Sequence, residues 1–351
     1  MSERNAKTTL ELLKLQFGMN KEGKWAINSM KGIPLRPTEG SGNYFFSIRD
    51  DIVMEQPSFL STTKFVLGQS IVPLVAHVQG ERVLRCLGTG FFISCTGLLI
   101  TAAHVITDPI ERQYGGIEEL DDLTWQARDL HLGVMIPLNP LLQGNGYIFC
   151  AIEWATFLSE RTENPLPIAG VNLKLTADTA ICKVSPIGEG IPHQPLAIVQ
   201  SGMAGTGMAV GKTATAIGYG EMKDVELAQE SDHVISGKFF FDIHASTGEI
   251  LERFPDNLTE RHVPTPGACF SASLYLPAGM SGSPIFDDEG IYVHGVVSKG
   301  WVDEGGLAKF GYGSMLAHSL LLPIKQLGNK SLLELQNEDS YGFPKISGPG
   351  L

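Results

Sequence analysis

The sequence predicts an all-β protein, a barrel or sandwich of many short strands closed by one helix near the C-terminal end. Two observations carry this. Short apolar runs recur between Gly- and Pro-rich turns from residue 65 onward, and helix-like spacing of apolar residues is confined to the two ends of the chain. Glycine is also in excess: the 40 glycines in 351 residues are roughly 11%, against an ordinary usage near 7%.

Taken in order, residues 8–18 have the pattern of a short amphipathic helix. Thr8 and Glu11 have capping-box spacing, Leu10, Leu13 and Phe17 share a face, and Gly18 can end it. Residues 1–64 are expected to form an extension packed on the main domain. Strands are then expected at 71–78, 83–87, 91–94 and 98–103, followed by an irregular, turn-rich stretch over about 108–170. Further strands are expected at 172–184, 213–219, 269–276, 283–286 and 291–298. The segment HSLLLPIKQLG (318–328) has a helical texture, with Pro323 suited to a first turn, and a polar Gly/Pro-rich tail follows at 329–351.

Composition narrows the function. Hydrophobic residues make up 43% and charged residues 18%, an ordinary globular balance. A formal charge of −12, with no basic stripe, argues against nucleic acid or an anionic membrane as partner. The five cysteines (Cys86, Cys95, Cys150, Cys182 and Cys269) are odd in number and none falls in a CxxC spacing. The first residues lack a signal-peptide core, and no stretch has the length of a membrane-spanning helix. Free thiols in a reducing compartment, and so a cytoplasmic location, are the expectation.

Three strings carry chemistry. In GTGFFISCTGLLITAAHV (88–105), small residues precede His104 and let the chain turn while the imidazole faces a cleft. In TADTAICKV (176–184), Asp178 opens an apolar run, where a carboxylate drawn inward needs a partner. In PAGMSGSPIF (277–286), Gly279 and Gly282 flank Ser281, permitting a tight turn whose N–H groups converge. The N–H groups of Gly279 and Ser281 are then placed to form an oxyanion hole. Alone, each string also suits a bland reading: a His capping a strand, an Asp in a turn, or a turn of Gly and Ser.

Together, TAAHV, DTAICKV and GMSGSP, in the order His, Asp, Ser, resemble the trypsin-like (chymotrypsin-fold) serine peptidases. GVVSKG (295–300), Gly311-Tyr312-Gly313 and the closing helix extend the likeness, which spans about residues 66–328. The resemblance implies two packed six-stranded β-barrels, the first at 65–200 carrying His104 and Asp178, the second at 201–328 carrying Ser281. It implies a serine endopeptidase that forms an acyl-enzyme through a His104–Asp178–Ser281 triad, acts on protein or peptide substrates, and needs no metal or organic cofactor. By the family's spacing, Tyr275 lies near the floor of the primary pocket, with Ser298, Lys299 and Gly300 along its wall and the substrate backbone. An uncharged floor favours an uncharged residue at the cleavage site.

The chain departs from the secreted pattern in two places. Met280 stands where an Asp ordinarily receives the N-terminal ammonium of an activated zymogen, and Val105 follows His104 where a cysteine is common. Both make the chain similar to bacterial-type intracellular members, including the protease domain of the HtrA group. Restraint of such an enzyme is assigned to the extension or to the 105–177 connection, either of which can offer a surface to a regulatory protein partner. The alternative is a non-catalytic or latent protein-binding module on a peptidase fold. An α/β-hydrolase is disfavoured because it orders its triad Ser, acid, His. A phosphate loop at 205–213 fails because Thr206 stands where GxxxxGK needs glycine.

Overall fold

The structure, a computed structural model, describes residues 6–12, 18–19, 25–26, 33–37, 46–48, 67–111, 117–121, 124–127, 129–137, 147–161, 173–185, 193–199, 208–231, 234–237, 242–255, 263–288, 290, 292–301, 310–338 and 341–344. Two closed antiparallel barrels of six strands each form its frame. The first contains β1 (Ile71–Val78), β2 (Val83–Phe92), β3 (Leu98–Thr101), β4 (Leu130–Pro137), β5 (Tyr147–Arg161) and β6 (Leu173–Val184). Helix α1 (Ala103–Glu111) leaves directly from the end of β3. The strands close in the order β1–β2–β3–β6–β5–β4 and back to β1.

The second barrel contains β7 (Thr213–Gly220), β8 (Asp242–Phe254), β9 (Cys269–Ala272), β10 (Pro284–Phe286), β11 (Val293–Trp301) and β12 (Phe310–Met315). It closes in the order β7–β10–β11–β12–β9–β8 and back to β7. Closure removes free sheet edges from both barrels. The alternation on β7 (TATAIGYG) sends Ala214 and Ala216 into a core shared with Phe270, Ile285 and Val297.

Several sequence expectations give way here. The stretch expected to be irregular holds two long strands, β4 and β5. In β5, Phe149, Cys150, Ala151, Ile152, Ala155 and Phe157 are all buried. A strand covered on both faces loses the period-two alternation that would have revealed it. The helix expected at 8–18 is a strand over its described part: Ala6–Leu12 pairs antiparallel with β5 and parallel with Thr124–Ala127. Two β-branched threonines at 8 and 9 suit a strand, and pairing on both sides overrides a weak helical pattern. Residues 13–17 of that expectation lie outside the described residues, as does most of the 1–64 extension.

The closing helix at 318–328 is divided. Helix α2 (Ala317–Leu320) is one turn, Leu322–Ile324 is extended around Pro323, and Lys325–Leu327 is a 3-10 turn. Proline cannot donate the backbone bond that a continuous helix would require. A further helix, α3 (Leu332–Gln336), lies inside the expected tail, opened by a capping box between Ser331 and Glu334. Its Leu332 and Leu335 are fully buried in the first barrel's core together with Leu316, Leu320 and Ile324. The end of the chain thus leaves the second barrel and fastens it to the first.

Candidate active site

The end of β3 and the start of α1 set His104, the second residue of the helix. Fully buried Ala102 and Ala103 precede it, so the chain can turn in close contact with the barrel. Asp178 projects from β6 and is almost fully buried. Its Oδ1 accepts the backbone N–H of His104 at 3.0 Å, capping the first turn of α1, where amides have no partner inside the helix. The same carboxylate accepts from His104 Nδ1, at 3.0 Å to Oδ1 and 2.9 Å to Oδ2. A carboxylate only accepts, so Nδ1 carries the proton and Nε2 presents its lone pair.

Burial disfavours charge on both partners, and their attraction overcomes it. Burial works against the imidazolium, but Asp178, helped by Asp108 and opposed by Lys299, holds the His104 pKa above its ordinary value. Burial likewise works against the Asp178 carboxylate, yet the charge and hydrogen bonds of His104 and the Ser298 hydroxyl hold its pKa below the usual range.

Ser281 sits in the turn that leads into β10. Gly279 and Gly282 have φ of 96° and 87°, a left-handed backbone that side chains rarely adopt. A Cβ on Gly282 would lie 1.9 Å from the Thr89 carbonyl and 2.2 Å from Thr101 Oγ1. The Ser281 turn is therefore pressed against the strands that deliver His104.

Each inward carbonyl of this turn is held. Ala278 O accepts from Glu221 N at 2.6 Å, Met280 O from Ser283 N at 2.9 Å and Ser281 O from Thr89 N at 2.8 Å. In a trans peptide the N–H points opposite to the C=O of the same plane. The N–H groups of Gly279 and Ser281, partners of the held carbonyls of Ala278 and Met280, are thereby turned the other way. Neither has an acceptor among the described residues, whereas Met280 N donates to Pro277 O and Gly282 N to Val297 O. Met280 itself is fully buried in the second core, an apolar plug with no part in ion pairing.

Of the four residues assigned by spacing to the pocket, Ser298 makes the most contacts with the site. Its hydroxyl is buried and donates to Asp178 Oδ2, with Thr265 Oγ1 3.1 Å away. Its carbonyl accepts the Ser281 hydroxyl at 3.4 Å. Ser298 thus joins Asp178 to Ser281. Among the described residues, Ser281 Oγ makes no hydrogen bond to His104. Lys299 and Gly300 are exposed, and Gly300 packs on the Leu276 carbonyl, which a Cβ would approach to 2.0 Å. Tyr275 is half-buried, with its backbone N–H on Ser246 Oγ at 2.8 Å. Thr89 and Thr265 were not legible as site residues, because a hydroxyl's partner across two barrels leaves no local pattern.

Among curated proteins, none matches the sequence. Solved structures resemble it loosely: Deg5 at 15% identity over 76% of this chain and 92% of that one, TM-score 0.40; the HtrA-type protease AlgW with a decapeptide at 14% over 76% and 68%, TM-score 0.43; and the HL collagenase at 16% over 76% and 96%, TM-score 0.44. The family profile described as a trypsin-like peptidase domain matches residues 88–295, more than half of the chain. On that match, and with two closed six-stranded barrels, this chain belongs to the trypsin-like peptidase family of serine endopeptidases.

Proposed function

We propose that the chain cleaves peptide bonds through an acyl-enzyme, with Ser281 as nucleophile, His104 as general base and acid, and Asp178 as the group that orients the imidazole. The observation that carries this is the Asp178 carboxylate holding both the ring and the backbone of His104 while receiving the Ser298 hydroxyl.

The Ser281 hydroxyl rests on the Ser298 carbonyl through a bond of 3.4 Å, long for O–H···O and weak. In the proposed step the hydroxyl leaves that carbonyl and donates to His104 Nε2. Ser281 Oγ then adds to the scissile carbonyl as its proton passes to Nε2, and the N–H groups of Gly279 and Ser281 receive the developing oxyanion. The imidazolium, stabilised by Asp178, returns that proton to the leaving amine as the C–N bond breaks. Water repeats the sequence in reverse roles and frees the acid product.

Among the described residues, β11 has no strand paired on the β10 side beyond Val297, which leaves a strand edge beside Ser281 for an extended peptide to pair with. Tyr275 near the pocket floor carries no charge, so an uncharged side chain is the preferred occupant. Five free cysteines suit a reducing, cytoplasmic setting. No helix among the described residues is long and apolar enough to cross a membrane. The described parts of the extension add strands to both barrels, Ile33–Pro37 beside β5 and Phe46–Ile48 beside β8, which makes this region the natural seat of a regulatory protein partner.

Pre-steady-state hydrolysis of p-nitrophenyl acetate tests the acyl-enzyme without requiring knowledge of the peptide substrate. Wild type is expected to release a burst approaching one p-nitrophenolate per chain, and Ser281→Ala none. A burst that survives in Ser281→Ala would overturn the assignment.

A further inference from the structure

All four carbonyls of residues 278–281 have a donor, and three are held by backbone amides. The fourth, Gly279 O, accepts from a side chain, the Thr89 hydroxyl, at 3.0 Å. Thr89 belongs to β2 of the first barrel and is fully buried. Its Oγ1 also accepts the Tyr219 N–H from β7 at 3.0 Å, with the Tyr219 carbonyl farther away at 3.4 Å. One hydroxyl proton has one best acceptor, so the bond runs Tyr219 N–H to Thr89 Oγ and Thr89 O–H to Gly279 O. Each link in such a chain polarises the next. The backbone of Thr89 is fixed as well: its N–H donates to Ser281 O, and its carbonyl accepts from Thr101 Oγ1 at 2.7 Å. Its methyl lies towards Gly218, where a Cβ would stand 3.2 Å from Cγ2 and 1.6 Å from Ser283 Oγ. The rotamer is therefore set by packing, and the hydroxyl is aimed.

We propose that the Thr89 hydroxyl is a positioning group for catalysis, locking the Gly279–Met280 peptide so that the flanking amides of Gly279 and Ser281 stay turned towards the oxyanion. Gly279, at φ 96°, lacks the Cβ that would otherwise restrain this peptide; its N–H end is held within the turn, Met280 N donating to Pro277 O, and the Thr89 hydroxyl holds its carbonyl end. Removing the hydroxyl leaves the half-buried Gly279 O without its donor, and rotation of that peptide becomes the way to regain one. The inference rests on the assignment of Ser281 and the oxyanion amides given above.

The test measures the saturation kinetics of Ser281 phosphonylation by a fluorophosphonate–rhodamine probe in wild type, Thr89→Val, Thr89→Ser and Ser281→Ala. Loss of one oxyanion donor costs about 100- to 1,000-fold, so misaligning one is expected to lower the maximal rate of Thr89→Val about 10- to 100-fold. Half-saturation should be unchanged, and Thr89→Ser should return to within about three-fold of wild type. If Thr89→Val melts below the assay temperature, Thr89→Ala against Thr89→Ser isolates the same hydroxyl, since both lack the methyl. A Val variant as fast as wild type, or a Ser variant slower than Val, overturns the role of the hydroxyl while labelling at Ser281 still stands. Labelling that persists in Ser281→Ala, or a folded wild type that takes no label, overturns the underlying assignment instead.

Discussion

The carboxylate of Asp178 receives donors from three directions: the His104 ring, the His104 backbone and the Ser298 hydroxyl. A buried carboxylate stripped of such partners costs several kcal/mol, so His104, Ser298 and Asp178 hold one another in place. The sequence singled out His104, Asp178 and Ser281 as candidates because each lies beside small residues in a short string. It did not disclose that Ser298 turns its hydroxyl to Asp178, since partnership between residues 120 positions apart follows from the packing of two barrels. Asp178→Asn keeps the shape and removes the charge, and is expected to lower kcat by about four orders of magnitude. The pH profile gives a second check. The proposed mechanism needs neutral His104, and Asp178 holds its pKa above the ordinary value near 6.5, so the rate in wild type is expected to fall as pH drops through a value above 6.5. With the carboxylate gone the imidazole loses its proton more readily, and the acid limb should move to lower pH. An unmoved limb in kcat/KM would mean that the titrating group is not His104.

At the scale of elements, the nucleophile turn is held by what surrounds it more than by its own sequence. The Glu221 N–H that holds Ala278 O comes from a residue at φ 53°, a left-handed conformation unusual outside glycine and a sign that the neighbouring structure enforces it. Gly282 is the tightest point, with strand backbone inside the space a Cβ would need. Gly282→Ala is therefore expected to destabilise the protein by about 3 kcal/mol or more, combining a steric clash with backbone strain. Glu221→Gly should be neutral or stabilising by about 1 kcal/mol, because glycine adopts that φ at no steric cost. Urea unfolding midpoints of the two variants decide this, and a Gly282→Ala protein as stable as wild type would contradict the packing described. Strand reading from the sequence succeeded in β7, where burial alternates, and in the short buried runs β1 and β3 set between turns, and failed in β5, where burial on both faces erased the alternation inside a stretch rich in turn residues. The divided closing helix was readable in principle from Pro323. The capping box at Ser331 and Glu334 was equally visible, yet it lay in a segment whose Gly/Pro content suggested only a tail.

For the molecule as a whole, the proposed catalysis depends on the seam between two barrels. The first barrel contributes His104, Asp178 and Thr89 to it, the second Ser281, Ser298 and the amides proposed for the oxyanion hole, and Leu332 and Leu335 pack into the first core. The fold class was legible because strand density and glycine content are global properties. The seam was not, because it consists of hydrogen bonds between segments far apart in sequence. The most direct measurement is labelling of the whole chain with a fluorophosphonate, with mass spectrometry locating the adduct in wild type and Ser281→Ala. A single adduct on Ser281, absent from the alanine variant, is the predicted result. A folded wild type that stays unlabelled, or an adduct on another residue, would contradict an assembled triad at this seam.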